Sequence, residues 1–145
     1  MADPLLAAHV LAGSVGLLLG PAWLLARRAG SPGRSAALGY QFAVVGAAAS
    51  GASLALTSPG LAWLVPVAVL TQALAVAGAL ARRRGWRNWE TLQPHLLGGS
   101  YIALVTALLI AETGNPLFWV LPAVIGQVPI AVAKRRLHGL APAAG

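Results

Sequence analysis

Proton transfer and metal ligation draw on His, Asp, Glu and Cys, and this 145-residue chain holds three His, three Asp or Glu and no Cys. Without Cys there are no disulfides, thiolate nucleophiles, iron–sulfur clusters or Cys-ligated zinc. His9 and His95 lie in long apolar runs, where an ionisable group is costly and marks a candidate site. An imidazole in such a place could bind haem iron, anchor a quinone headgroup or relay a proton. His9 and His95 are therefore the candidate cofactor-binding residues, with haem or quinone as the group. His138 stands beside Arg136 and Leu137 near the chain end and carries no specific signal.

Each of the two histidines has a candidate polar neighbour. Glu112 closes the run that His95 begins, at a depth comparable to His9, so His9 and Glu112 form a candidate polar pair for proton handling or ligand anchoring. Two interfacial groups satisfying each other and water is the plainer account of that pair. Near His95 stand Gln93, Glu90 and the basic Arg34, a setting for an anionic or quinone headgroup, or simply for a helix-start His in contact with water. Amides and hydroxyls at mid-run, Thr71, Gln72, Thr106 and Gln127, could bond one another as interhelical glue worth about 1 kcal/mol each. Catalytic constellations are missing: the sequence has no phosphate loop, no metal cluster at ligand spacing and no mid-run carboxylate of the kind ion-coupled transporters use. The residues lean away from an enzyme and from a metal site.

The elements that must carry these residues are apolar helices. Hydrophobic residues make up 58% of the chain and charged residues 9%, too few charges to solvate the surface of an ordinary soluble domain. Five stretches contain no Asp, Glu, Lys or Arg: Leu5 to Ala26, Ala36 to Thr57, Leu61 to Ala81, Pro94 to Ala111 and Leu117 to Ala133. At 1.5 Å per residue they reach roughly 26 to 33 Å, matching a hydrocarbon core of about 30 Å. Rich in Ala and Leu and without period-two alternation, they predict an all-α integral membrane bundle of five transmembrane helices rather than a membrane barrel. Ser58-Pro59-Gly60 and Glu112 to Pro116 are short, helix-ending connections, with Gly114 suited to a C-cap and Asn115-Pro116 to an N-cap followed by Pro at N1. Helices two and three, and four and five, are then tight antiparallel hairpins.

Charge placement sets the expected orientation. The formal net charge is +7, a value that nucleic-acid binders share, yet the basic residues only terminate apolar runs and make no base-reading face. Arg27, Arg28 and Arg34 fall in the first loop, Arg82, Arg83, Arg84 and Arg87 in the third, and Lys134, Arg135 and Arg136 after the last run. Since Lys and Arg are retained in the cytoplasm, the N-terminus is expected outside and the C-terminus inside. Trp23, Trp86 and Trp89 then mark the inner boundary, with Trp63 and Trp119 at the outer one. Trp86, Arg87 and Trp89 suggest a short turn lying on the inner surface.

On this reading His9 lies about one turn below the outer surface and His95 at the inner one, roughly 20 Å apart along the normal. A bis-His haem built from one chain is disfavoured, because two axial ligands must face each other across the iron. The first run, flanked by Asp3 and then Arg27-Arg28, reads as an uncleaved anchor rather than a secretory signal. Residues 1–138 form a single transmembrane domain, and 139–145 a short disordered tail.

Helices in lipid associate where small residues lower the surface. Gly13, Gly16 and Gly20 suggest one groove on helix one, and Ala47, Ala48, Ser50, Gly51 and Ala52 another on helix two. Pro21, Pro66, Pro122 and Pro129 are expected to bend their helices. A wider pattern also emerges: His9 with Gly13 and Gly20, Arg34 with Gly39-Tyr40, His95 with Gly99-Ser100-Tyr101 and Thr106, and Pro122, Gly126 and Pro129. It resembles a group of small bacterial multi-helix membrane proteins that share a membrane domain of unknown function. The resemblance covers most of the chain through loose motifs and implies the fold rather than an activity. In that group the first cytoplasmic loop often carries a His immediately before the Arg; Gly33 occupies that place here, which argues against a His cluster at the inner surface.

Three functions are compatible with these features. The leading one is a non-catalytic accessory or packing subunit of a larger membrane complex, partnered by lipid bilayer and other membrane subunits or copies of itself. The alternative is a small redox or cofactor-associated protein binding haem or quinone through His9 or His95. A carrier for a small neutral molecule, with a polar path through Gln72 and Gln127, is third. High Ala, Gly and Arg with a single Lys point to a GC-rich bacterial genome and so to the bacterial cytoplasmic membrane.

Overall fold

The computed structural model describes residues 3–28, 34–58 and 60–140. Within the described residues five α-helices and one 3-10 turn follow in order: α1 Pro4–Arg28, α2 Arg34–Thr57, α3 Leu64–Arg83, α4 Trp89–Thr113, the 3-10 turn Pro116–Trp119 and α5 Leu121–Leu140. The described residues contain no strand, in keeping with the all-α expectation. The chain divides into two compact units, Met1–Gln72 and Ala73–Gly145, the division falling within α3.

Among the described residues four helical stretches are long and apolar enough to cross a membrane: Pro4–Trp23, Ser35–Thr57, Leu64–Arg83 and Thr91–Thr113. The fifth apolar run differs from its expected form. Pro116–Val132 is shorter, and its first turn is a separate 3-10 helix that ends before α5 begins at Leu121. Asn115 explains the break locally, because its Oδ1 accepts from the Leu117 N–H at 3.0 Å while Pro116 opens the turn. The Asn cap and N1 proline read from sequence are thus present, but they start a 3-10 turn.

Two other boundaries move. α3 begins at Leu64 rather than Leu61, behind i→i+3 turns from Leu61 to Ser58, Leu64 to Leu61 and Val65 to Ala62. Pro59 of that connection lies outside the described residues. α4 begins at Trp89, a turn earlier than Pro94, so that Pro94 lies inside the helix. Conversely Pro66 and Pro122 occupy the first turn of α3 and α5, where a missing N–H costs no intrahelical bond. Only Pro21, Pro94 and Pro129 sit in helix interiors among the described residues. α5 runs through His138 to Leu140, and residues 141–145 of the expected tail lie outside the described residues.

Small residues position the helices within each unit. In the first, α1 meets α2 along His9, Ala12 and Leu19, which approach Gly51, Gly46 and Gly39 respectively. Gly16, buried, continues that three–four–three spacing, the stripe one helix face presents. Gly13 does not: a Cβ placed there meets nothing within 4 Å, so the groove expected from Gly13, Gly16 and Gly20 is rotated. On α2 the buried positions Ala43, Val44, Ala47, Ser50 and Ala55 form a continuous face.

The second unit uses the same device reciprocally. Gly98 of α4 receives Ile130, whose Cγ1 would lie 2.6 Å from an added Cβ, and Gly126 of α5 receives Ile102 with still less room. Each isoleucine stands four residues after its own helix's glycine, so two interlocking pairs join antiparallel helices. Gly78 of α3 likewise takes Leu97 of α4.

Candidate functional site

His9 stands near the start of α1, half-buried against α2. Its Nδ1–H donates to the Ala47 carbonyl at 3.0 Å and lies 3.2 Å from Ser50 Oγ. Because a carbonyl only accepts, Nδ1 must carry the proton; in the neutral ring Nε2 then holds the lone pair. Ser50 Oγ is in turn fixed by donation to the Gly46 carbonyl, with the Ala47 carbonyl at 3.3 Å. Gly51 completes the seat. A Cβ there would sit 2.8 Å from His9 Cε1 and 3.2 Å from Nδ1, so only a residue without one lets the ring reach Ala47.

Backbone anchoring of Nδ1 is the arrangement that holds metal-ligating histidines in a fixed tautomer and orientation. No hydrogen bond reaches His9 Nε2 among the described residues. Glu112, the partner suggested by depth, is exposed at the C-terminal end of α4 in the other unit. The neighbours of His9 within its own unit are on α2. Counting depth alone missed them, although Ser50 and Gly51 lie near the end of α2 that the α1–α2 hairpin brings level with His9.

His95 is exposed near the start of α4, and its Nδ1–H donates to Thr91 O, one turn back on the same helix, at 2.7 Å. Gln93 beside it is buried with its Oε1 unpartnered, whereas the side chains of Arg34 and Glu90 lie outside those described. No family model, curated protein or solved structure matches the chain.

Among the mid-run groups, Thr71 turns to its own backbone, donating to Val67 O at 2.7 Å. Gln72 Oε1 is buried without a partner, Thr106 is buried and Gln127 is exposed. No group of three or more His, Asp or Glu that could hold a metal occurs among the described residues. The group that sequence reasoning undervalued is the α3–α4 connection. Gly85, at φ 59°, closes α3 with Trp86 N–H bonded to Ala81 O and Gly85 N–H to Arg82 O, the two bonds of a Schellman turn. Asn88, at φ 63°, then directs the chain into α4, and the Arg82 guanidinium lies over the Trp89 ring, 5.8 Å from its centroid.

Proposed function

We propose that this chain is a non-catalytic, multi-pass protein of the bacterial cytoplasmic membrane, N-terminus outside and C-terminus in the cytoplasm, that packs as an accessory subunit in a larger membrane assembly. The observation that carries the reading is the outward apolar surface of its helices, on which Phe42 is 77% and Leu18 73% exposed. A surface of this kind calls for lipid or protein as its solvent. Ala7, Ala8 and Ser14 are exposed on α1 and Gly13 faces open space, so a neighbouring helix could approach closely there. The chain's hydroxyl and imidazole groups at His9, Ser50, Thr71 and His95 are bonded to backbone carbonyls, which favours structural roles. In this reading the 3-10 turn and α5 together make the fifth span, with Arg135 reaching back to the interface.

Two measurements test it. Reporter tags should place the N-terminus outside and the C-terminus inside; both on one side, or a chain soluble without detergent, refutes the membrane arrangement. Cross-linking mass spectrometry in native membranes should yield reproducible inter-chain links from α1, and a partnerless monomer after mild extraction refutes the subunit role.

One observation favours a second reading, a haem- or quinone-associated protein. Nδ1–H donation to Ala47 leaves His9 Nε2 as the ligating nitrogen, with any second ligand supplied by another chain. Visible absorption decides. A Soret band lost in His9→Ala supports it, and a purified protein without visible absorption or extractable quinone rejects it.

A further inference from the structure

We infer that the α3–α4 turn is a binding site for the phosphate of anionic phospholipid headgroups. The inference rests on the membrane reading above and adds a ligand to it. Residues 82–89 carry four arginines, two tryptophans and no carboxylate. Arg82, Arg83, Arg84 and Arg87 are all exposed, while Ala81, the residue before them, is fully buried. The guanidiniums therefore emerge within one turn of the end of a membrane-length apolar helix, the level at which headgroup phosphates lie.

The turn is held rather than loose. The Ala81 and Arg82 carbonyls accept from Trp86 and Gly85, and Trp89 N–H returns to Trp86 O at 3.0 Å. Stacking on the half-buried Trp89 keeps Arg82 beside the turn, while Arg83, Arg84 and Arg87 remain to the outside. A planar guanidinium presents paired N–H donors that match two phosphate oxygens, which an ammonium does not. Trp86, 39% exposed, offers an indole that prefers the same boundary. Glu90 follows in α4, leaving the segment through residue 90 at +3 by formal charge, four Arg less one Glu. Such a site favours lipids with net negative charge over zwitterionic ones, whose ammonium offsets the phosphate.

Native mass spectrometry of the full chain in mild detergent, titrated with phosphatidylglycerol or phosphatidylcholine, tests the assignment. Phosphatidylglycerol should bind at least about tenfold more tightly, since each arginine near an anionic surface contributes roughly fivefold. R83Q/R84Q/R87Q should reduce the preference to near unity, and R83K/R84K/R87K should retain part of it. Equal binding of the two lipids by the wild type overturns the site while leaving the membrane reading intact. A preference unchanged in the Gln variant also overturns it, as does inorganic phosphate displacing the lipid at comparable concentration. If neither lipid binds and the chain stays in solution without detergent, it is the membrane reading that fails.

Discussion

Replacing Gly51 by alanine probes the His9 seat directly. The new methyl would lie 2.8 Å from His9 Cε1, and carbon atoms rest at about 3.5 to 4.0 Å. The ring must retreat by about 0.7 Å, enough to stretch the 3.0 Å bond to the Ala47 carbonyl beyond useful length. Overpacking costs about 1 to 3 kcal/mol, and the lost interhelical bond adds about 0.6 kcal/mol, the average for such bonds in a membrane bundle. Gly51→Ala should therefore destabilise the protein by about 2 to 4 kcal/mol. His9→Ala alone should cost about 1 kcal/mol. In the double variant the methyl enters space the imidazole vacated, so the combined loss should fall short of the sum by about 1 kcal/mol or more. Steric trapping in bicelles measures all three free energies. Additivity within about 0.5 kcal/mol would show that residues 9 and 51 do not share the contact described, and the account of the seat would be wrong.

Gly98→Ala should cost about 1 to 3 kcal/mol, because Ile130 already fills the place of its Cβ, and Ile130→Ala in the same chain should recover part of that loss in the same assay. Gly114 caps α4 at φ 62° with its N–H on Ile110 O, so Gly114→Ala should cost about 1 to 2 kcal/mol, and no change would mean the cap had reorganised. Gly13→Ala, facing open space, should leave the isolated protein's stability within about 0.5 kcal/mol; a larger loss by thermal unfolding contradicts its placement.

Much of the fold was legible because lipid-length apolar runs and helix caps are local signals. The caps at Gly114 and Asn115 were read from residue type alone, and both are found in place. What eluded the sequence was rotation. Residue spacing grouped Gly13 with Gly16 and Gly20, and depth along the helix did not point to Ala47, Ser50 and Gly51 as the neighbours of His9. The α1–α2 contacts run through His9, Ala12 and Leu19, a face that only the partner helix defines. Prolines misled for a related reason. Pro94 opened the charge-free run in the sequence, yet α4 begins earlier, after the Asn88 bend, and incorporates it.

The reciprocal seating of Ile130 on Gly98 and Ile102 on Gly126 also governs how this helical hairpin can move. Axial slippage of one rod along the other would lift both branched side chains from their sockets together, onto residues one turn away that carry side chains, such as Tyr101 on α4 and Pro122 on α5. The α4–α5 pair thus has one seated register, since a shift of one helical pitch, about 5.4 Å, meets no glycine at either socket. Small thermal displacements are returned to the same notch, and compliance in this unit must come from its termini and turns.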